Sequence, residues 1–268
     1  MAEGADLRPG RRMRIRKRRR TPAGSMTMLE HLGELRTRLI VSLLVFVGLS
    51  VVAFVYYDPI LELIRRPYCR LPADLQGPQG CDLIFTKALG AFEFRLKLTA
   101  LTGLALASPV WLYELWAFIV PAFTPKEKRY AVPFFLSSML LFSVGVVAAY
   151  FTLPKGLQFL IGIGGQELVP FLQAADYLNF VGLMVLGFGL MFELPLFLIF
   201  LGLIEVLTVA QLRHGRRIAI VALVALAAVV TPSQDPYTLL VLSVPLYGLY
   251  EVTILVLARV EKRRARRP

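Results

Sequence analysis

Little in this sequence could hold a metal ion or a nucleotide. There are two cysteines and two histidines in 268 residues, and His31 and His214 lie far along the chain from Cys69 and Cys81. No ligand spacing of the zinc type can be assembled from that set. A GxxxxGK[ST] phosphate loop is absent, so ATP coupling has no sequence support. No Ser/His/Asp set falls at a plausible depth, and the chain is expected to be neither an enzyme nor a cofactor carrier. Acidic residues are scarce, 18 against 30 Lys+Arg, which leaves a net charge of +12. Also missing is any polar stretch long enough to build a separate water-soluble core.

What is present is apolar. Hydrophobic residues make up 57% of the chain and the mean hydropathy is +0.65, well above a soluble domain. The excess resolves into six candidate spans, at 39–57, 98–120, 131–153, 178–204, 218–230 and 239–257. About 20 helical residues cross a hydrocarbon core of about 30 Å, and the first four spans suit that length. The fifth and sixth are short, and should thin the bilayer locally or sit where protein and water relieve the mismatch. Pro232 and Pro236 punctuate the turn between them. Pro109, Pro133, Pro195 and Pro245 each remove a helix hydrogen bond, so several helices should be kinked or broken. The fold expected is an all-α membrane protein of six helices.

Orientation follows from the basic residues. With both termini inside, 23 of the 30 Lys+Arg fall on cytoplasmic segments, which predicts an N-in, C-in protein of the cell membrane. Residues 1–27 read as a disordered basic tail, 28–258 as the membrane domain and 259–268 as a second basic tail. The run Arg11–Arg20 is better explained by anionic lipid than by nucleic acid. The apolar run from Leu39 is longer than a signal-peptide core and lacks a clear small-x-small cleavage site, so an uncleaved first span is expected. Cys69 and Cys81 share the first outside loop, an oxidising location on this topology, and are predicted to form a disulfide.

Charges retained within spans are the informative ones, because each costs about 2.5–3.5 kcal/mol at the bilayer centre on insertion scales. Glu193 is the clearest, too short to snorkel and two residues before Pro195. It points to function, the bland alternative being a protonated carboxyl bonded to a carbonyl freed by the proline. Glu114 and Glu251 sit nearer the cytoplasmic ends, where a cap or an ion pair would account for them. Glu34 and Arg38 form an i, i+4 pair at the entry to the first span, and Glu127 stands among Lys126, Lys128 and Arg129.

Five ordered strings carry a resemblance: HLGELRTRL before span one, SPVWLYELWAFIVPAFTPKEKR at the exit of span two, FELPLF in span four, TPSQDP between spans five and six, and VPLYGLYE in span six. From Met28 to Arg259 the chain resembles the TatC family, the multispanning core of the twin-arginine protein translocase. The resemblance implies a concave, glove-like scaffold that receives twin-arginine signal peptides of folded cargo. It also implies TatA/TatB-type single-span partners, an oligomeric assembled complex and transport driven by the proton-motive force. The family's signal-binding acids fall on Glu34 and Glu127, with Arg36 ordering the acidic cluster and Phe118 shaping its apolar floor. Two carboxylates suit arginine, whose planar fork gives bidentate hydrogen bonds that lysine cannot match. Glu193 falls on the family's intramembrane carboxyl, and Thr231 and Asp235 on positions for partner docking or gating. Departures are Leu239, where a polar residue is common, Gly90 in place of an acid, and the basic extension before Met26. The competing interpretation is a proton-coupled small-solute transporter using Glu193, against which no repeat relates the first and last three spans. An intramembrane hydrolase would need a second carboxylate or a Ser/His dyad at the depth of Glu193.

Overall fold

The computed structural model describes residues 28–76, 78, 80–119, 131–164, 171–232 and 235–265. The basic tail 1–27 and Glu127 lie outside the described residues. Within them the chain forms α1 (Met28–Val55), α2 (Tyr57–Cys69), α3 (Gly90–Leu106), α4 (Ser108–Ile119), α5 (Ala131–Gly162), α6 (Ala174–Leu203), α7 (Val209–His214), α8 (Arg216–Val230) and α9 (Pro236–Ala265), with a 3-10 turn at Ala73–Leu75. The sole β-type pairing among these residues is an isolated bridge between Ile84 and Gln173.

Four helices, α1, α5, α6 and α9, are long and apolar enough to cross a membrane singly. A fifth crossing is the pair α3 and α4, bent by 52°. With α8 they make a six-span all-α membrane protein. At 15 residues α8 is only about 22 Å long, the short crossing expected from its apolar run. The sixth helix is different. Its apolar stretch lies inside a 30-residue helix that runs on through the basic residues 259–265, which sequence pattern had assigned to a tail. The extension is anchored: Arg264 Nη1 donates to Glu205 Oε1 at 2.8 Å, and the Val209 N–H donates to Glu261 Oε1 at 3.1 Å.

The second span shows what its proline does. Pro109 has no N–H for the carbonyl four residues back, and the helix breaks at Ala107. The Trp111 indole N–H donates to Leu104 O at 3.2 Å and stitches the two halves together across the break. By contrast, Pro195 and Pro245 lie within continuous helices, and Pro133 sits in the first turn of α5, where its missing N–H costs nothing.

The core forms around α5 and α6. Ala149, Leu153 and Leu157 of α5 meet Val181, Met184 and Phe188 of α6, joined by Ala227 of α8 and Leu242 and Leu246 of α9. More than half of the most apolar window of α6, 56%, is buried within the protein, against 6% of that of α1. Helix α6 is therefore the central post. Helix α1 presents Leu39, Leu43, Leu44, Val47 and Val51 outward, as a lipid-facing helix must.

The first outside segment, expected to be a loop, contains α2. This amphipathic helix is held down at its buried end by Tyr68, and by Tyr177 and Tyr150, whose hydroxyls donate to Ile64 O (2.6 Å) and Leu63 O (3.0 Å). A period-3.6 pattern of polar residues in a short segment was its only local signal. The Cys69–Cys81 disulfide, with Cα atoms 4.9 Å apart, ties the end of α2 to the strand-like segment at Ile84. Both thiols are expected to resist alkylation until reductant is added. Replacing both by serine should lower stability by about 2–3 kcal/mol, given the short loop they close. Labelling followed by mass spectrometry, with a parallel melt in detergent, checks both outcomes; alkylation of both thiols without reductant would count against the bond.

Candidate functional site

At the end of the bundle where α1 begins, two helix faces meet. On α1, residues 31, 34 and 38 follow the three- and four-residue spacing that puts side chains on one face. On α4, residues 114 and 118 do the same. Face meets face: the His31 and Phe118 rings stack with centroids 4.2 Å apart and planes 12° from parallel. One turn deeper, Arg38 lies between two carboxylates. Its Nε and Nη2 donate to Glu34 Oε1 at 3.2 and 2.6 Å, and its Nη1 donates to Glu114 Oε2 at 2.8 Å. The i, i+4 pair was legible in the sequence. The part of Glu114, contributed from 76 positions away, was not.

Glu34 is unevenly used. One oxygen takes both Arg38 donors, while Oε2 is buried and has no hydrogen-bond partner among the described residues. Buried carboxylate oxygens are normally satisfied, so this one marks a place where a donor belongs. Arg36, two residues on from Glu34, is exposed and stands outside this network. Phe118 is half-buried, one residue before α4 ends at Ile119, and the chain from there leads to Glu127.

Glu193 lies elsewhere, about two-thirds of the way along the 30-residue α6. The fully buried Ser138 of α5 donates from Oγ to Glu193 Oε2 at 2.8 Å, and Glu193 Oε1 is buried without a partner among the described residues. The carboxyl is thus held by a hydroxyl of the neighbouring helix, and Thr253 Oγ1 donates to the carbonyl of Pro195 itself at 3.2 Å, one turn beyond the Met191 carbonyl that the proline frees. Nothing local to FELPLF identifies Ser138.

The third group occupies the opposite end from Glu34. Thr231 closes α8, its buried hydroxyl donating to Ala227 O at 2.8 Å. Asp235 opens α9 as its N-cap, Oδ1 accepting the Thr238 N–H at 2.7 Å, with Pro236 in the first helical position that tolerates it. In this structure both residues serve the backbone of the turn. Glu251 accepts from Arg216 (2.7 Å) and from the Tyr247 hydroxyl (3.0 Å), the paired role anticipated for it. The candidate residues therefore form three separate sites, at one end, at mid-depth and at the other end.

Comparison with known proteins follows the same six-helix frame. The family model for TatC, the Sec-independent protein translocase protein, matches residues 30–245. The chain belongs to the TatC family. Among curated TatC proteins it is 42% identical to that of Frankia casuarinae, over 94% of this chain and 71% of the relative. To the TatC of Aquifex aeolicus it is 36% identical, over 85% of this chain and 93% of that one. A crystal structure of a twin-arginine translocase receptor, TatC, superposes with a TM-score of 0.69 at 35% identity, covering 85% of this chain and 98% of that chain. A second, of TatC in the detergent DDM, gives 0.70, again at 35% identity, over 85% and 99%. The chain is therefore a multi-pass membrane protein of a protein-translocase family, and TatC membership places it outside enzymes.

Proposed function

We propose that this chain is the receptor subunit of a twin-arginine translocase, holding the signal peptides of folded proteins at its cytoplasmic face. The observation that carries this is Glu34: a carboxylate near the membrane surface, with one buried oxygen lacking a donor among the described residues, beside the aromatic floor formed by Phe118 and His31. A peptide guanidinium would supply that donor and could be shared with Glu127. Arg36, exposed beside that network, would order the acidic cluster only once a peptide is bound. Both termini lie in the cytoplasm, in keeping with the 23 basic residues assigned there, and the basic tails meet anionic lipid.

The receptor assembles with TatA/TatB-type single-span proteins into an oligomer, and the proton-motive force drives passage. A six-helix subunit has no room for folded cargo, so the route must involve other chains or disturbed lipid. Glu193 acts after surface binding, within the membrane, while Thr231 and Asp235 shape the outer turn for docking or gating. The small-solute transporter interpretation draws no support from the TatC match.

The test is site-specific crosslinking and affinity measurement with a twin-arginine peptide. Replacing Glu34 and Glu127 together by glutamine should weaken binding at least about tenfold, the loss of charge-assisted hydrogen bonds. Unchanged binding would remove both residues from the site.

A further inference from the structure

Arg38 already occupies one of the two Glu34 oxygens that a bidentate peptide arginine would need. Its fork places both Nε and Nη2 on one oxygen of Glu34, leaving Oε2 without a partner among the described residues, whereas a guanidinium that faces a carboxylate squarely engages both oxygens. The internal pair is thus the poorer of two possible arrangements. Arg38 also has a second anchor, because Nη1 is held by Glu114 on another helix. If Arg38 left Glu34, its charge would still be matched.

We propose that Arg38 is a built-in stand-in for the ligand arginine: it fills Glu34 in the empty receptor and is retained by Glu114 when a peptide guanidinium takes its place. This rests on Glu34 being a signal-peptide acceptor, as proposed above. Glu114 then acts as a positioning residue that never touches the peptide but sets how readily Glu34 becomes free. The arrangement also bears on specificity. An incoming lysine offers a single point charge, which cannot outcompete the two N–H groups that Arg38 has on Glu34, whereas an arginine can. Discrimination between twin-arginine and twin-lysine peptides would follow from competition with an internal arginine as well as from direct recognition.

The experiment is a double-mutant cycle on the full-length protein in detergent, measuring the Kd of a twin-arginine and a twin-lysine peptide. Arg38→Gln should tighten the twin-lysine peptide by about tenfold and the twin-arginine peptide by less, narrowing the ratio between them. Glu114→Gln should weaken both peptides several-fold, since Arg38 then has Glu34 as its only partner. In the Arg38→Gln background, Glu114→Gln should have no effect. Arg38→Lys, which keeps charge and bulk and so guards against misfolding of the glutamine variant, should fall between wild type and Arg38→Gln. The proposal is overturned if Arg38→Gln and Arg38→Lys leave the peptide ratio unchanged, or if Glu114→Gln costs as much with Arg38 as without it. Failure of the receptor reading looks different, since Glu34→Gln would then leave binding of both peptides unaltered.

Discussion

Gly145→Val should leave almost no folded protein in the membrane. Where α5 crosses α6, a side-chain carbon on Gly145 would sit 2.7 Å from Phe188 O and 3.0 Å from Gly189 Cα. Both neighbours are backbone, so no rotamer change can relieve the contact. The approach is reciprocal, since a side-chain carbon on Gly189 would lie 2.6 Å from the Phe142 ring. Within a bilayer, helices gain little from exchanging lipid for one another, and close backbone approach through small residues supplies much of the packing. Separating α5 from α6 enough to admit valine would open the central core and cost at least about 3 kcal/mol, at the upper end for overpacking. The expected readouts are loss of the monodisperse peak in detergent and degradation in cells. Gly48→Ala is the matched control: nothing lies within 4 Å of that position on lipid-facing α1, and its stability should change by less than about 1 kcal/mol.

Glu193→Ala should abolish export while sparing both stability and peptide binding at the surface. A buried carboxyl with one oxygen bonded to Ser138 and the other unpartnered among the described residues is a weak contributor to folding, because its desolvation offsets the single hydrogen bond. Removing it should alter the melting free energy by no more than about 1 kcal/mol. A group kept at mid-membrane without benefit to the fold is kept for function. Ser138→Ala, which strips the carboxyl of its described donor but leaves the acid, should impair export partially. Normal export by Glu193→Ala, or unfolding on a scale comparable with Gly145→Val, would show that Glu193 serves packing instead.

The contrast between these two positions indicates what could be read from the chain. Glu193 was legible because an unpaired charge in an apolar run is a local anomaly. Gly145 was not, because a glycine in an apolar helix says nothing of what it faces until the partner helix is placed. The apolar runs located the spans, and Pro109 announced trouble in the second, but the bend itself depends on α4 finding α1. Helix α2 was missed because a 13-residue amphipathic segment bounded by a cysteine looks like an ordinary loop. Glu34 and Arg38 could be paired from spacing alone, whereas Glu114 and Ser138 joined their partners from 76 and 55 positions away, distances at which no local pattern carries information.

The break at Ala107 decides where the α4 end of the second span comes down. Helix α4 has 12 residues, hence a length of about 18 Å, and its 52° turn away from the line of α3 carries its far end sideways by about 14 Å. Continued straight, the helix would deliver Phe118 to a different address on the membrane surface, and Arg38 would face one carboxylate instead of two. A single imino acid within the span therefore sets the lateral position of the Glu114 and Phe118 face at its edge.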